Sequence, residues 1–212
     1  MSFVKYISAL FLSIALLDSC TSENKEPVEV KKPEAKTIMA PFRFHKAIEV
    51  KPGLTLDVVS WGRGSNSVGG YLILRSDSTH LSYRSVSDEL DGKIVDVWDM
   101  DMDSDGNPEL YIQAEGEGEG SYLNMYVYEY SENGSNQRIR FPGLGSSAKK
   151  GYKGNDSVYV KEDKLIREFP VFTSEDSTAT ASGGKRKLEY SLRNNSFQVK
   201  EIKEESDKKE DQ

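Results

Sequence analysis

Residues 121–130 have the sequence SYLNMYVYEY, and this stretch decides the fold. Three of its tyrosines, Tyr126, Tyr128 and Tyr130, occupy every second position. Side chains at every second position share one face of a β-strand, whereas a helix would spread these tyrosines around its circumference. The stretch therefore predicts a strand with two distinct faces.

Similar segments, rich in β-branched and aromatic residues, occur along the chain between turn signals such as Pro-Gly, Asn-Gly and Asn-Asn. The sequence has no amphipathic helical pattern longer than a few turns. We therefore predict one all-β domain over residues 42–202, an antiparallel β-sandwich or a flattened barrel.

The first residues resemble a bacterial lipoprotein signal. Lys5 precedes an apolar run, residues 7–17, which is shorter than the roughly 20 residues that span a bilayer. The run ends in LDSC, and Cys20 is the only cysteine, so an exported chain could form no internal disulfide. The resemblance implies a signal peptide over residues 1–19 and lipidation of Cys20. By the same resemblance, Thr21 after the cysteine implies a lipid anchor in the cell envelope at the outer membrane, facing either the periplasm or the surface.

The segments that flank the domain are rich in charge. Residues 20–41 combine charge with proline, which predicts a flexible tether, and residues 203–212 predict a disordered charged tail. The net charge of −7 argues against a nucleic-acid partner and is compatible with a basic protein or a divalent cation. Basic side chains gather at residues 138–154, so a homodimer that joins this region to an acidic loop is a further hypothesis.

An acidic loop at residues 101–109 has carboxylates at the spacing of calcium ligands. The candidate ligands are Asp101, Asp103, Asp105 and Glu109. Gly106 stands where a calcium loop needs its sharp turn, but Ile112 occupies the position of the bidentate glutamate. Asp and Asn side chains also cap their own backbone in ordinary turns. The sequence thus leaves a metal site and a plain turn as alternatives.

A second acidic segment follows, with the sequence AEGEGEGSYL at residues 114–123. Its glutamates alternate with glycines, which predicts a flexible hairpin end. Such a loop is either a tolerated extra length of chain or a recognition loop.

The run at residues 99–130 resembles the central segment of the periplasmic inhibitors of invertebrate-type lysozyme. In that family an acidic turn leads into an apolar strand, and a Gly/Ser loop that ends in S-G-S-Y starts the next strand; here the run is DMDMDSDGNPELYIQAEGEGEGSYLNMYVYEY. The resemblance implies a β-sandwich whose loop enters the substrate cleft of a lysozyme and blocks it without chemistry. Gly120, Ser121 and Tyr122 match the family loop, whereas Glu119 stands where a serine is expected. A lysozyme cleft holds acidic groups, so Glu119 implies contact with a basic rim or a different target.

Two functions follow as expectations. The first is a lipid-anchored protein that binds and inhibits a lysozyme through Glu119, Gly120, Ser121 and Tyr122. The alternative is a calcium-binding structural or adhesion module of the cell surface. No arrangement of catalytic residues can be argued from the sequence, so we expect no enzyme activity.

Overall fold

The computed structural model describes residues 40–65, 67–116, 120–173 and 180–202. The predicted signal peptide, Cys20, the tether up to residue 39 and the tail at residues 203–212 lie outside the described residues. Within the described ranges, no helix is long and apolar enough to cross a membrane.

The described part of the chain is built entirely from β-strands and their connections. The strands are β1 (Phe42–Lys51), β2 (Leu54–Trp61), β3 (Val68–Asp77), β4 (Ser82–Asp91), β5 (Lys93–Met100), β6 (Glu109–Glu115), β7 (Leu123–Tyr130), β8 (Asn136–Ile139), β9 (Ser157–Lys161), β10 (Lys164–Pro170), β11 (Lys185–Arg193) and β12 (Ser196–Ile202). They form three four-stranded antiparallel sheets with the orders β1-β2-β3-β4, β5-β6-β7-β8 and β12-β11-β10-β9. The predicted all-β class and antiparallel sandwich are confirmed, and none of the sheets closes into a barrel.

The sheet of β5–β8 contributes to two separate apolar cores. Leu110 and Ile112 of β6 pack with Ile73 and other residues of the β1–β4 sheet. Tyr111, between them, packs instead with Leu165 and other residues of the β9–β12 sheet. Because successive side chains of a strand point to opposite faces, β6 is covered on both sides. The β5–β8 sheet is therefore the middle layer of three.

The alternation predicted for the tyrosine-rich strand is confirmed in β7. Tyr128 and Tyr130 lie in the core shared with the β1–β4 sheet, and Tyr126 packs against it. Val127 lies in the opposite core. The Tyr128 hydroxyl is 2.7 Å from that of Tyr71 on β3, which ties the two sheets together by a buried hydrogen bond.

Candidate metal centre

The loop between β5 and β6 is shaped by hydrogen bonds from its backbone to Asp101. One carboxylate oxygen accepts from the amide of Asp105 at 3.1 Å and the other from the amide of Gly106 at 3.0 Å. Gly106 has a φ of 88°, in the left-handed region that glycine adopts without a Cβ clash. The sharp turn predicted at this glycine is therefore present.

Three acidic side chains converge inside this loop. Asp101, Asp103 and Glu109 each offer one carboxylate oxygen, and the three oxygens lie within 4.8 Å of one another. Calcium binds carboxylate oxygens at about 2.3–2.6 Å, so two oxygens on one ion are at most about 5 Å apart. The spacing of these oxygens therefore fits a single calcium ion.

Glu109 is the most enclosed of the three, because it begins β6 and points into the core shared with the β9–β12 sheet. Its side chain is 0% exposed. The Oε2 atom accepts hydrogen bonds from the amide of Met102 at 2.9 Å and the hydroxyl of Tyr111 at 3.4 Å. The Oε1 atom is buried and has no donor among the described residues, and the same holds for Oδ1 of Asp103. A buried carboxylate oxygen without a partner is costly, which makes these two atoms candidate ligands for a cation.

The negative charges of these three carboxylates are not neutralised by any ion pair among the described residues. Among the described residues, no ion pair joins Asp101, Asp103 or Glu109 to a lysine, arginine or histidine. Burial raises the pKa of Glu109 to about 7, against the opposing hydrogen bond from Met102, and the charges of Asp103 and Asp101 raise it further. A divalent cation at this position would offset the repulsion among the three carboxylates, which is the smaller part of this shift.

Asp105, the fourth predicted ligand, is not among the three converging residues. Its carboxylate accepts from the backbone amide of Asn107 at 2.8 Å and from the side-chain amide of Asn107 at 3.1 Å. This is the backbone-capping arrangement of an ordinary turn. The loop thus contains an ordinary turn beside the three candidate ligands, and a ligand role for Asp105 stays a prediction.

Ile112, at the twelfth position of the loop, lies in the core beneath the β1–β4 sheet and is no ligand. The last candidate ligand of the loop is Glu109. The sequence contains one indirect indication that this residue is buried. An acidic residue stands directly before the apolar residues LYI at the start of the strand, two positions from Tyr111. An acid on the face of a buried strand needs a partner.

The second predicted site lies at the end of the loop between β6 and β7. Glu119 is outside the described residues. Gly120 has a φ of 108°, and its carbonyl accepts a hydrogen bond from the amide of Asn155. A Cβ on Gly120 would collide with the carbonyl of Lys153, and one on Gly154 would collide with the carbonyl of Gly120. This close backbone contact fixes the end of the loop on the segment before β9.

Tyr122 is held at its ring and its backbone while part of its surface stays open. Its side chain is 43% exposed. Its ring centre is 5.6 Å from that of Tyr152, at an interplanar angle of 73°. Its carbonyl accepts from the amide of Gly116 at 2.9 Å, and the next amide, of Leu123, donates to Asp156 at 3.3 Å. The predicted anchor residue is therefore a positioned surface tyrosine and not a core residue.

Comparison with known proteins gives no further assignment. The chain matches no model of a protein family, no curated protein and no solved structure.

Proposed function

We propose that this protein is a calcium-binding β-sandwich module. The observation that supports the proposal best is the convergence of Asp101, Asp103 and Glu109, in which two buried oxygens have no donor among the described residues.

The chemistry of the donors favours calcium over transition metals. All three candidate ligands are carboxylates, and hard oxygen donors suit calcium, magnesium and manganese, whereas zinc and copper prefer nitrogen and sulfur. Magnesium requires a near-ideal octahedron at about 2.0–2.1 Å and usually keeps several waters. Crowded protein carboxylates at the observed spacing suit the larger and more tolerant calcium ion better.

A bound calcium ion would join the two ends of the β5–β6 connection. Asp101 directly follows β5, and Glu109 is the first residue of β6. An ion held by both, and by Asp103 between them, would fix the loop on the middle sheet. The role expected of the ion is therefore structural, with no catalytic step, in keeping with a non-enzymatic cell-surface module.

Calorimetric titration of the metal-free full chain with calcium tests this proposal. We expect saturable heat with one site, which Glu109→Gln and Asp103→Asn abolish. Glu49→Gln, a matched change on the exposed part of β1, should bind calcium as the parent does. Absence of heat in the parent chain, or unchanged heat in Glu109→Gln, would refute the proposal.

A second candidate function is inhibition of a lysozyme by Glu119, Gly120, Ser121 and Tyr122. The observation in its favour is the partly exposed ring of Tyr122, supported from below by Tyr152. Large aromatic side chains with a polar tip are frequent anchors at protein interfaces.

The test is inhibition of invertebrate-type, chicken-type and goose-type lysozymes by the purified chain. Tyr122→Ala should weaken inhibition at least about tenfold, the usual loss at an interface anchor. Tyr159→Ala, at a tyrosine that is also partly exposed, 40%, should not. If micromolar protein slows none of the three enzymes, this candidate is wrong.

The location of the protein belongs to the same proposal. A lipid anchor on Cys20 would hold the domain at the cell envelope, at the outer membrane, through the tether. Cys20→Ser should then move the protein from the membrane fraction to the soluble fraction. A homodimer is tested by sedimentation of the full chain at several concentrations.

A further inference from the structure

A cleft opens between the β1–β4 sheet and the middle sheet, at the end where β3 and β7 terminate. We call it the end cleft, and its volume is about 750 Å³. Arg75, Asp77 and Tyr130 line its inner part. Small-molecule sites in proteins are commonly clefts of about 300–1,000 Å³ with a few convergent polar groups.

The inner part of the end cleft is rich in hydrogen-bond donors that have no acceptor. Arg75 is 4% exposed, and one of its nitrogens, Nη2, donates to Asp77 at 2.9 Å. Its other two nitrogens, Nε and Nη1, are buried and have no acceptor among the described residues. Tyr130 is also 4% exposed, and its hydroxyl has no hydrogen-bond partner among the described residues. Buried donors are nearly always satisfied in folded proteins, so this group of donors is incomplete without an acceptor.

Asp77 accepts one hydrogen bond from Arg75, through Nη2, and shares its remaining acceptor capacity with His80. The backbone amide of His80 donates to Oδ1 of Asp77 at 3.0 Å, and the ring nitrogen Nδ1 lies 3.0 Å from Oδ2. The hydrogen bond from the His80 amide is the first cause that lowers the pKa of Asp77, to about 2. Asp77 therefore stays ionised and balances the charge of Arg75, whose Nε and Nη1 have no acceptor among the described residues.

The outer part of the end cleft has the opposite character. Its acidic side chains are Asp99, Asp101 and Glu132, and its lysine is Lys51. With the Arg75–Asp77 pair balanced, the outer part is net negative and attracts a cationic group. A ligand complementary to both parts carries an acceptor, preferably a carboxylate, at one end and an ammonium group at the other.

We propose that the end cleft binds short peptides with a free carboxylate and a free amino group. The carboxylate accepts hydrogen bonds from Arg75 and Tyr130, and the ammonium group lies among Asp99, Asp101 and Glu132. The proposal does not depend on the calcium site, although Asp101 borders both. Every binding experiment is therefore run once with calcium and once with a chelator.

The first test titrates the full chain with tri-alanine, with its C-terminal amide and with its N-acetylated form. Tri-alanine should bind saturably at millimolar concentration. The amide removes the charged acceptor and should bind about tenfold more weakly or worse, the loss expected for hydrogen bonds to a charged group. Acetylation removes only the charge contact with the outer carboxylates, which are at least partly exposed to solvent, and should weaken binding about two- to fivefold.

The second test uses Tyr130→Phe, which removes one unpaired hydroxyl from a buried ring without changing its shape. The variant should fold as the parent does and bind tri-alanine about three- to tenfold more weakly, the range for one hydrogen bond. Tyr159→Phe, a tyrosine on β9 away from the end cleft, is the matched control and should leave affinity unchanged.

Three results overturn the proposal: no saturable binding of tri-alanine, equal binding of the peptide and its amide, or equal affinity in Tyr130→Phe. The first of these would leave ordered water as the partner of Arg75. Because calcium titration is a separate measurement, failure here and failure of the calcium site can be told apart.

Discussion

Asp156 and Glu109 are both buried carboxylates of the same domain, and their surroundings differ in one respect. Asp156 has donors on both oxygens: Arg167 Nε donates to Oδ1 at 2.7 Å, while the Tyr152 hydroxyl and the Leu123 amide donate to Oδ2. Glu109 has donors on Oε2 only, and neither of them is a cation. A buried charge is stable when it is paired and hydrogen-bonded. The hydrogen bonding of the first site is therefore complete within the protein, whereas one oxygen of the second site has no donor among the described residues.

This difference in hydrogen bonding also distinguishes the two loops predicted to be functional, the acidic loop at residues 101–109 and the loop end that carries Tyr122. The Asp156 site fixes the loop end that presents Tyr122, so its task is to position a surface. The Glu109 site gathers further acids around itself, which repel one another unless a cation lies between them. Asp156 thus stabilises the fold, and Glu109 is the candidate for binding a cation.

The largest expected effect is on the complete site. Arg167→Met removes the cation from Asp156 and leaves a buried carboxylate unpaired, which should cost about 3–5 kcal/mol of unfolding free energy. Urea denaturation of the full chain measures this loss. Arg63→Met, on the exposed loop after β2, is the control and should change stability by less than about 0.5 kcal/mol. A loss for Arg167→Met no larger than that of the control would contradict the account of Asp156.

The next effect concerns the incomplete site and its ligand. Calcium at about 100 times its Kd should stabilise the parent chain by about 2.7 kcal/mol, because it binds the folded state. Glu109→Gln should lose this gain entirely while remaining folded in the presence of a chelator. The measurement is urea denaturation of both proteins with calcium and with the chelator. Equal stabilisation of the two proteins would mean that calcium acts elsewhere.

A pH effect follows from the raised pKa of Glu109 in the metal-free chain. The folded state holds this proton up to about pH 7, whereas the unfolded chain releases it near the ordinary value of 4.5. The contribution to stability is therefore complete below pH 4.5 and is lost as the pH rises through 7. We expect a loss of about 2–3 kcal/mol between pH 5 and pH 8, since the pKa rises from 4.5 to about 7 on folding and one pKa unit corresponds to about 1.4 kcal/mol.

Glu109→Gln serves as the reference for this pH profile, because all other titrating groups are kept. Denaturation in chelator at several pH values should show a smaller decline in the variant than in the parent. Parallel profiles for the two proteins would show that Glu109 does not titrate in this range.

The sequence predicted the strands and the acidic loop because both have local signals. Alternating tyrosines identify the faces of β7, and the spacing of aspartates around Gly106 identifies three residues that the structure brings together. Neither pattern specifies which sheet covers a face. The middle layer and the burial of Glu109 therefore emerge only when the β9–β12 sheet is in place.

Long-range pairs were beyond the reach of sequence patterns. Arg167 forms an ion pair with Asp156 at the start of the last sheet. The sequence has 63 charged residues, 28 lysines and arginines and 35 acids, and no local pattern distinguishes these two from the others. The donors of Arg75 and Tyr130 come from two different sheets, so the end cleft exists only in the assembled sandwich.

The smallest expected effect is at Tyr122, where the fold and partner binding can be separated. Tyr122→Ala removes the edge-to-face contact with Tyr152, worth about 0.5–1.5 kcal/mol, but keeps the hydrogen bonds of the neighbouring backbone. Urea denaturation should show a loss within this range, far below that of Arg167→Met. A loss as large as that of Arg167→Met would mean that the ring itself stabilises the loop end, so its exposed surface would be incidental to packing. A small loss would mean that the fold does not need the exposed ring of Tyr122. Recognition of a partner would then explain why a large aromatic side chain lies on this surface.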